Sequence, residues 1–155
     1  MLLVDLDPQG HCAAGLGIPD SKIERHVGEA MLADRFDPAR ILWRVGRNLT
    51  LAPSTMKLAG LESRRGGLAD LPDRELRLSK AIGVFAGDAE SSPEGPYDVC
   101  LIDCPPSIGL LTYNALAAAG DILIPVETSF FALKGAAKQI NTCRSIARRL
   151  GLRIR

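Results

Sequence analysis

At 155 residues the chain has the length of one domain, and a domain of that size buries about 70% of its unfolded surface. Apolar residues make up 46% and charged residues 24%, ordinary for a globular protein, and the formal charge of +1 excludes a global basic attraction to nucleic acid. No apolar run reaches the roughly 18 residues of a membrane span; Met1 leads straight into Leu2-Leu3-Val4 without the basic start and cleavage pattern of a leader, so a cytoplasmic protein is expected.

Four short apolar runs have the length and flanks of buried parallel strands: residues 2–6, 49–52, 99–102 and 122–126. None alternates apolar with polar, which predicts coverage on both faces of the sheet. Between them the pattern predicts helices over 27–32, 39–45 and 55–64, the last behind Ser54 as N-cap, with Met56, Leu58, Ala59 and Leu61 inward. A further helix is expected over 73–85 through Leu76, Ile82 and Phe85, and another over 110–119, stopped by Gly120 as its C′ residue.

The last helix, 132–150, carries an apolar seam of Leu133, Ala136, Ile140, Cys143, Ala147 and Leu150. Lys134, Lys138, Ser145, Arg148 and Arg149 fall on the opposite face, and residues 152–155 read as the start of another strand. Segments 64–72 and 87–96 read as surface loops too short to be linkers, and no internal repeat is present. Strands alternating with helices predict one α/β domain over 1–155, a parallel sheet with helices on both faces and no second domain. Cys12, Cys100, Cys104 and Cys143 are scattered without a C-x-x-C pair, which predicts reduced, mostly buried thiols, not a disulfide framework or a zinc site.

In open α/β sheets ligands bind beyond the carboxyl ends of the strands. Two acidic clusters fall there: Asp5-Leu6-Asp7-Pro8-Gln9-Gly10 after the first strand, and Asp103-Cys104-Pro105-Pro106-Ser107 after the strand at 99–102. A single Asp in such a place commonly caps the next turn. Two clusters at the ends of two strands of one sheet point instead to a phosphate-bound magnesium ion. Asp5 and Asp7, two apart, share a face if the strand continues, and the two prolines make a stiff turn beside the site.

Leu3-Val4-Asp5-Leu6-Asp7-Pro8-Gln9-Gly10 resembles the second nucleotide motif, A′, of ParA/Soj-type deviant-Walker partition ATPases. Tyr97 through Ser107 resembles their Walker B strand and the switch after it. Stretches 49–62, 114–116, 124–126 and 130–133 follow the family pattern too, so the resemblance spans nearly the whole chain apart from the two loops. It implies a P-loop NTPase-like fold and a magnesium-dependent ATP hydrolase of chromosome or plasmid partition. Asp7 then matches the carboxylate that orients the attacking water, and Asp103 the Walker B group that holds magnesium through water. Asp5 matches a neighbour of the magnesium and phosphates, Gln9 lies beside the phosphates, and Pro105 and Pro106 match the switch. The family further implies a homodimer, non-specific DNA and a ParB-like partner, with nucleoid association and no membrane.

No Gly-x-x-x-x-Gly-Lys-Ser/Thr phosphate loop occurs in the 155 residues. In the family that loop precedes the A′ strand together with the first strand, and further strands follow the region corresponding to residue 155. A misplaced start, a truncated gene or a cloned fragment would each give such a chain. The expectation is therefore an incomplete fold that binds neither ATP nor magnesium by itself, with a non-catalytic interaction module as the alternative. The strand that precedes A′ lies inside the family sheet. Its loss removes on the order of 10 kcal/mol, comparable to the roughly 5–15 kcal/mol stability of a domain; the isolated chain is predicted to fold poorly, aggregate or close the gap.

Three smaller readings complete the sequence. Cys104 beside Asp103 suggests an iron–sulfur relative, but related iron proteins place their cysteine three residues after the Walker B Asp, where Pro106 stands. Lys134, Lys138, Arg148 and Arg149 form a possible basic surface for DNA phosphates; without basic excess or interleaved aromatics they read as a solvated face, and DNA binding by these residues is not expected. Tyr113 and Asn114 read as packing and capping groups, and His11 and His26 have no metal partners at useful spacing.

Overall fold

In a computed structural model, which describes residues 1–62, 66–87 and 97–153, strand β1 (Leu2–Asp5) lies inside the sheet with Leu2, Val4 and the following Leu6 fully buried. A turn then leads to Gly10, whose φ of +66° is the left-handed backbone that starts α1 (His11–Gly15). Helix α2 (Val27–Leu32) forms where expected, and His26 caps it by accepting the Gly28 N–H on Nδ1 at 3.2 Å.

Residues 39–45 are not helical. A 3-10 turn at Pro38–Arg40 runs into strand β2 (Trp43–Gly46), which pairs antiparallel with β3 (Leu49–Ala52) at the sheet's outer edge. Half-buried Trp43 and Val45 alternate with exposed Arg44 and Gly46, a period of two with the aromatic and β-branched side chains that strands favour. The segment after Ser54 winds as a 3-10 helix, Met56–Glu62, with Leu58 and Leu61 buried and Met56 exposed. Within the expected loop at 64–72, Leu68–Asp70 makes another 3-10 turn whose Leu68 is fully buried.

Helix α3 (Arg77–Ala86) begins later than the pattern suggested, leaving Leu76 exposed before it. Strand β4 (Cys100–Asp103) follows, then α4 (Leu110–Ala118) and α5 (Phe130–Arg149). Gly120 is not the left-handed stop foreseen for α4; Gly151, at φ +67°, plays that part after α5.

The strand order is β2-β3-β1-β4, with β1 parallel to both β3 and β4. One face carries the main core, where Leu2, Val4 and Leu6 meet Val27, Met31, Leu58, Leu78, Phe85 and Leu111 from the helical segments. Phe36 packs edge-on against Phe85 with ring centres 5.4 Å apart. The other face holds a smaller cluster of Ala13, Ile23 and Leu51, with Leu3, Trp43 and Val45 beside it. Two buried polar side chains pin the helices. Arg77 donates to Met31 O at 2.6 Å and Ala33 O at 2.8 Å, closing the end of α2, and pairs with Asp34. Asn114 accepts the Leu78 N–H at 3.0 Å and donates to Arg74 O at 2.7 Å, joining α4 to the start of α3.

The expected strand at 122–126 does not form, and Leu123 is 84% exposed there. An apolar run becomes a strand only where a neighbour takes its backbone groups, and β4 pairs with β1 alone. Coverage on both faces fails at β4 as well, where Leu101 is exposed, as is Val99 just before it. The seam of α5 is only partly used: Ala147 is buried and Ala136, Cys143 and Leu150 half-buried, whereas Ile140 is exposed and Leu133 is 62% exposed; Ile146, outside the seam, is buried instead. The thiols are less buried than expected, with Cys12 and Cys143 half-buried and Cys100 and Cys104 exposed, all four unpaired. Residues 152 and 153 are not a strand, and 154–155, like most of the expected loop at 87–96, lie outside the described residues.

Candidate functional site

Parallel pairing sets Leu2 opposite Cys100 and Asp5 opposite Asp103, so both strands deliver a carboxylate to the same end of the sheet. Asp5 is fully buried. Its Oδ1 accepts the Asp7 N–H and its Oδ2 the Cys12 N–H, each at 3.1 Å. Burial raises its carboxyl above the usual range; the two N–H groups pull the other way, and the charge of Asp103 adds to the rise.

Cys12 stands between the carboxylates, its Sγ donating to Asp103 Oδ2 at 3.4 Å. Burial first, then the two acidic neighbours, push this thiol far above its ordinary pKa and keep it protonated at neutral pH. One ligand atom each from Asp5, Cys12 and Asp103 lies within 4.8 Å of the others. Arg25, Arg74, Arg77 and Lys80 pair with other carboxylates, and none of the described residues makes an ion pair to Asp5 or Asp103. Two converging carboxylates without an ion-pair partner among the described residues suit a divalent cation held by oxygen.

Asp7 is not in this group. The strand ends at Asp5, so the two carboxylates do not continue up one face. Asp7 sits in the turn instead, its Oδ1 accepting the Gln9 N–H at 2.9 Å and its carbonyl the Gly10 N–H at 3.0 Å. Gln9 reaches across to Met56, Nε2 to Sδ at 3.8 Å. Asp7 and Gln9 therefore stand in the turn between Asp5 and Cys12, outside the group that Asp5, Cys12 and Asp103 form.

Pro105 and Pro106 lie in the connection from β4 to α4. The far end of that connection is fastened by Glu62, whose Oε1 accepts the Leu111 N–H at 3.1 Å, and by Thr112 Oγ1 donating to Ser107 O at 2.6 Å. Glu62 fits because Gly109 has no side chain; a Cβ there would lie 2.1 Å from Glu62 Oε1. Lys134, Lys138 and Arg148 are exposed on α5, while the Arg149 guanidinium lies 6.0 Å over the Tyr113 ring. Cys12 and Glu62 escaped the sequence reading. The only signal for Cys12 was its place two residues beyond the acidic motif, and Glu62 gave none, since its partner is 49 residues away.

Known proteins resemble the chain along nearly its whole length. Residues 1–155 match the AAA_31 family, described as an AAA domain. The chain is 37% identical over 150 residues to the sporulation initiation inhibitor protein Soj of Bacillus subtilis, covering 97% of this chain and 55% of that protein. It is 40% identical over 141 residues to the chromosome partitioning protein ParA of Myxococcus xanthus, covering 91% and 46%. The chain thus spans about half the length of these curated relatives. Among solved structures, cobyrinic acid a,c-diamide synthase from Mycobacterium smegmatis matches with a TM-score of 0.82 at 35% identity, over 99% of this chain and 58% of that one. The same enzyme with bound ATP analogue and magnesium gives 0.78 at 36%, over 95% and 55%. The fold is therefore the α/β fold of P-loop NTPases, and the chain, similar over about half their length to the Soj and ParA proteins, belongs to the AAA_31 family of AAA domains.

Proposed function

We propose that these residues supply the acidic side of a magnesium-dependent ATP-hydrolysing site in a protein that partitions chromosomes or plasmids. The observation that carries this reading is the meeting of Asp5 and Asp103 at the ends of adjacent parallel strands, without an ion pair to either among the described residues. Asp103 would hold magnesium through water, with Asp5 beside it. The ion, when bound, neutralises charge on the phosphates. Asp7 would orient the attacking water from the turn after β1, Gln9 would lie next to the phosphates, and Pro105 and Pro106 would carry the state of the site towards α4. A homodimer, non-specific DNA and a ParB-like partner belong to the same proposal, for a polypeptide of the relatives' length.

Without a phosphate loop among the 155 residues, tight ATP binding is not expected of them alone. A second reading, an interaction module without nucleotide, is favoured by the exposed Val99, Leu101, Leu123 and Val126. Titration of the chain with magnesium and ATP, beside turnover in a version extended to the relatives' length, separates the two. The ATPase reading expects no saturable binding by the short chain and turnover by the long one, lowered about 100-fold or more by Asp7→Ala. Turnover unaffected by Asp7→Ala refutes the role of Asp7, and a long version that neither binds nor hydrolyses ATP leaves the interaction module.

A further inference from the structure

We propose that Cys12 is a positioning residue for Asp103, tying the carboxylate at the end of β4 to the fixed carboxylate at the end of β1. The functional part of this inference rests on reading Asp103 as the magnesium-facing group. Nothing in the acidic motif assigns residue 12, since the motif closes at Gly10.

Asp5 is the fixed point. It is fully buried, and both of its oxygens are engaged by backbone N–H groups, from Asp7 and from Cys12. The second of those bonds also locates Cys12, which the first turn of α1 holds in addition through Leu16 N–H on its carbonyl at 3.1 Å. With its backbone set, the Cys12 side chain reaches Asp103 Oδ2 at 3.4 Å.

Asp103 is held far less firmly. It is the last residue of a strand paired on one side only, and its side chain is exposed. Its backbone is registered by Leu6 N–H on its carbonyl at 2.8 Å, but among the described residues the thiol is the one hydrogen-bond donor on its carboxylate. Free rotation about the Asp103 Cα–Cβ bond would carry the oxygens away from Asp5, the direction that repulsion between the two carboxylates favours. A neutral donor between them opposes that rotation without cancelling either charge. A basic side chain in the same place would hold Asp103 equally well but would take the position a cation needs.

The test uses the 155-residue chain labelled for NMR, with the χ1 couplings of Asp103 measured in the native protein, Cys12→Ala and Cys12→Ser. One rotamer is expected in the native protein and averaged couplings in Cys12→Ala, with Cys12→Ser, whose hydroxyl donates from a shorter bond, between the two. In a version extended to the relatives' length, with ATP present, manganese titration followed by electron paramagnetic resonance should then show Cys12→Ala binding about three- to tenfold more weakly, as loss of one modest hydrogen bond implies. A single Asp103 rotamer in Cys12→Ala overturns the proposal, and so does more averaging in Cys12→Ser than in Cys12→Ala. The expected couplings together with no manganese binding by the extended version would uphold the positioning and refute the cation reading of Asp103. Should Cys12→Ala fail to fold, Asp103→Asn, which keeps an acceptor, and Asp103→Ala, which does not, read the same contact from the other side. Iodoacetamide is then expected to alkylate Cys12 faster only in Asp103→Ala, and equal rates in both overturn the proposal.

Discussion

Gly109→Ala isolates the contact that fastens the start of α4. Gly109 has φ −138° and ψ −169°, extended backbone open to any residue, so alanine adds no backbone strain. Its Cβ, however, would lie 2.1 Å from Glu62 Oε1 and 2.9 Å from Glu62 Cδ, and the carboxylate must leave. With it goes the 3.1 Å bond to Leu111 N–H, which takes the place of the side-chain cap that Gly109 cannot provide. A lost cap costs about 0.5–2 kcal/mol, and a carboxylate at a helix N-terminus adds about 0.3–1 kcal/mol near the surface. The loss expected from the bond is therefore about 1–3 kcal/mol. Glu62→Ala should cost that much, and Gly109→Ala the same less what alanine gains by restricting the unfolded chain. The double variant should cost no more than either single one, since alanine at 109 clashes with nothing once Glu62 is gone, and it restricts the unfolded chain by about 0.4–1 kcal/mol. Urea unfolding followed by far-ultraviolet circular dichroism, repeated at several concentrations to separate stability from association through the exposed apolar residues, gives the midpoints and slopes. If Gly109→Ala costs as much in the Glu62→Ala background as alone, the two positions are independent and the reasoning is wrong.

Two further outcomes are expected. Asn114→Ala leaves the Leu78 N–H and Arg74 carbonyl without their partner and should cost about 2–4 kcal/mol in the same assay; a loss below about 1 kcal/mol would show that water replaces the amide. His26 is held below its ordinary pKa of 6.5, chiefly by burial, so the folded chain binds fewer protons than the unfolded one. The stability it contributes is full above pH 6.5 and is lost as the pH falls through the lowered value, so the urea midpoint should drop between about pH 7.5 and pH 5. His26→Asn keeps a cap and cannot titrate, and should show a smaller drop; an equal drop in both assigns the pH dependence elsewhere.

What could be read from the sequence followed the range of the interactions. β1, β3, α2 and the body of α4 were legible because their apolar runs and nearby stops act within a few residues. The pairing of Asp5 with Asp103 was legible as two strand-end motifs, though not as a register. The start of α3 was not, because its cap comes from Asn114, 36 residues away; α4 starts where the pattern placed it, although its Glu62 contact, 49 residues away, was not foreseen. β2 was taken for helix because four residues hold too few positions to separate a period of two from one of 3.6. The opposite error arose at 122–126, where composition was right for a strand and no neighbouring strand pairs with it. Asp7 shows the limit of a motif: its type and spacing were clear, but the turn that aims it at Gln9 was not.

The Arg77 guanidinium bears on how the molecule opens as well as on how it is held. α2 has six residues, too few to persist as an isolated helix, and its last carbonyls are bonded by a side chain that belongs to α3. Asn114 extends the same dependence from α3 to α4. Fraying of α2 would strand a buried cation, and withdrawal of α3 would strip α2 of its end, so neither step is cheap without the other. Amide hydrogen exchange across these three helices should therefore report one shared opening free energy, with the main core face of the sheet closing and opening as a single cooperative layer.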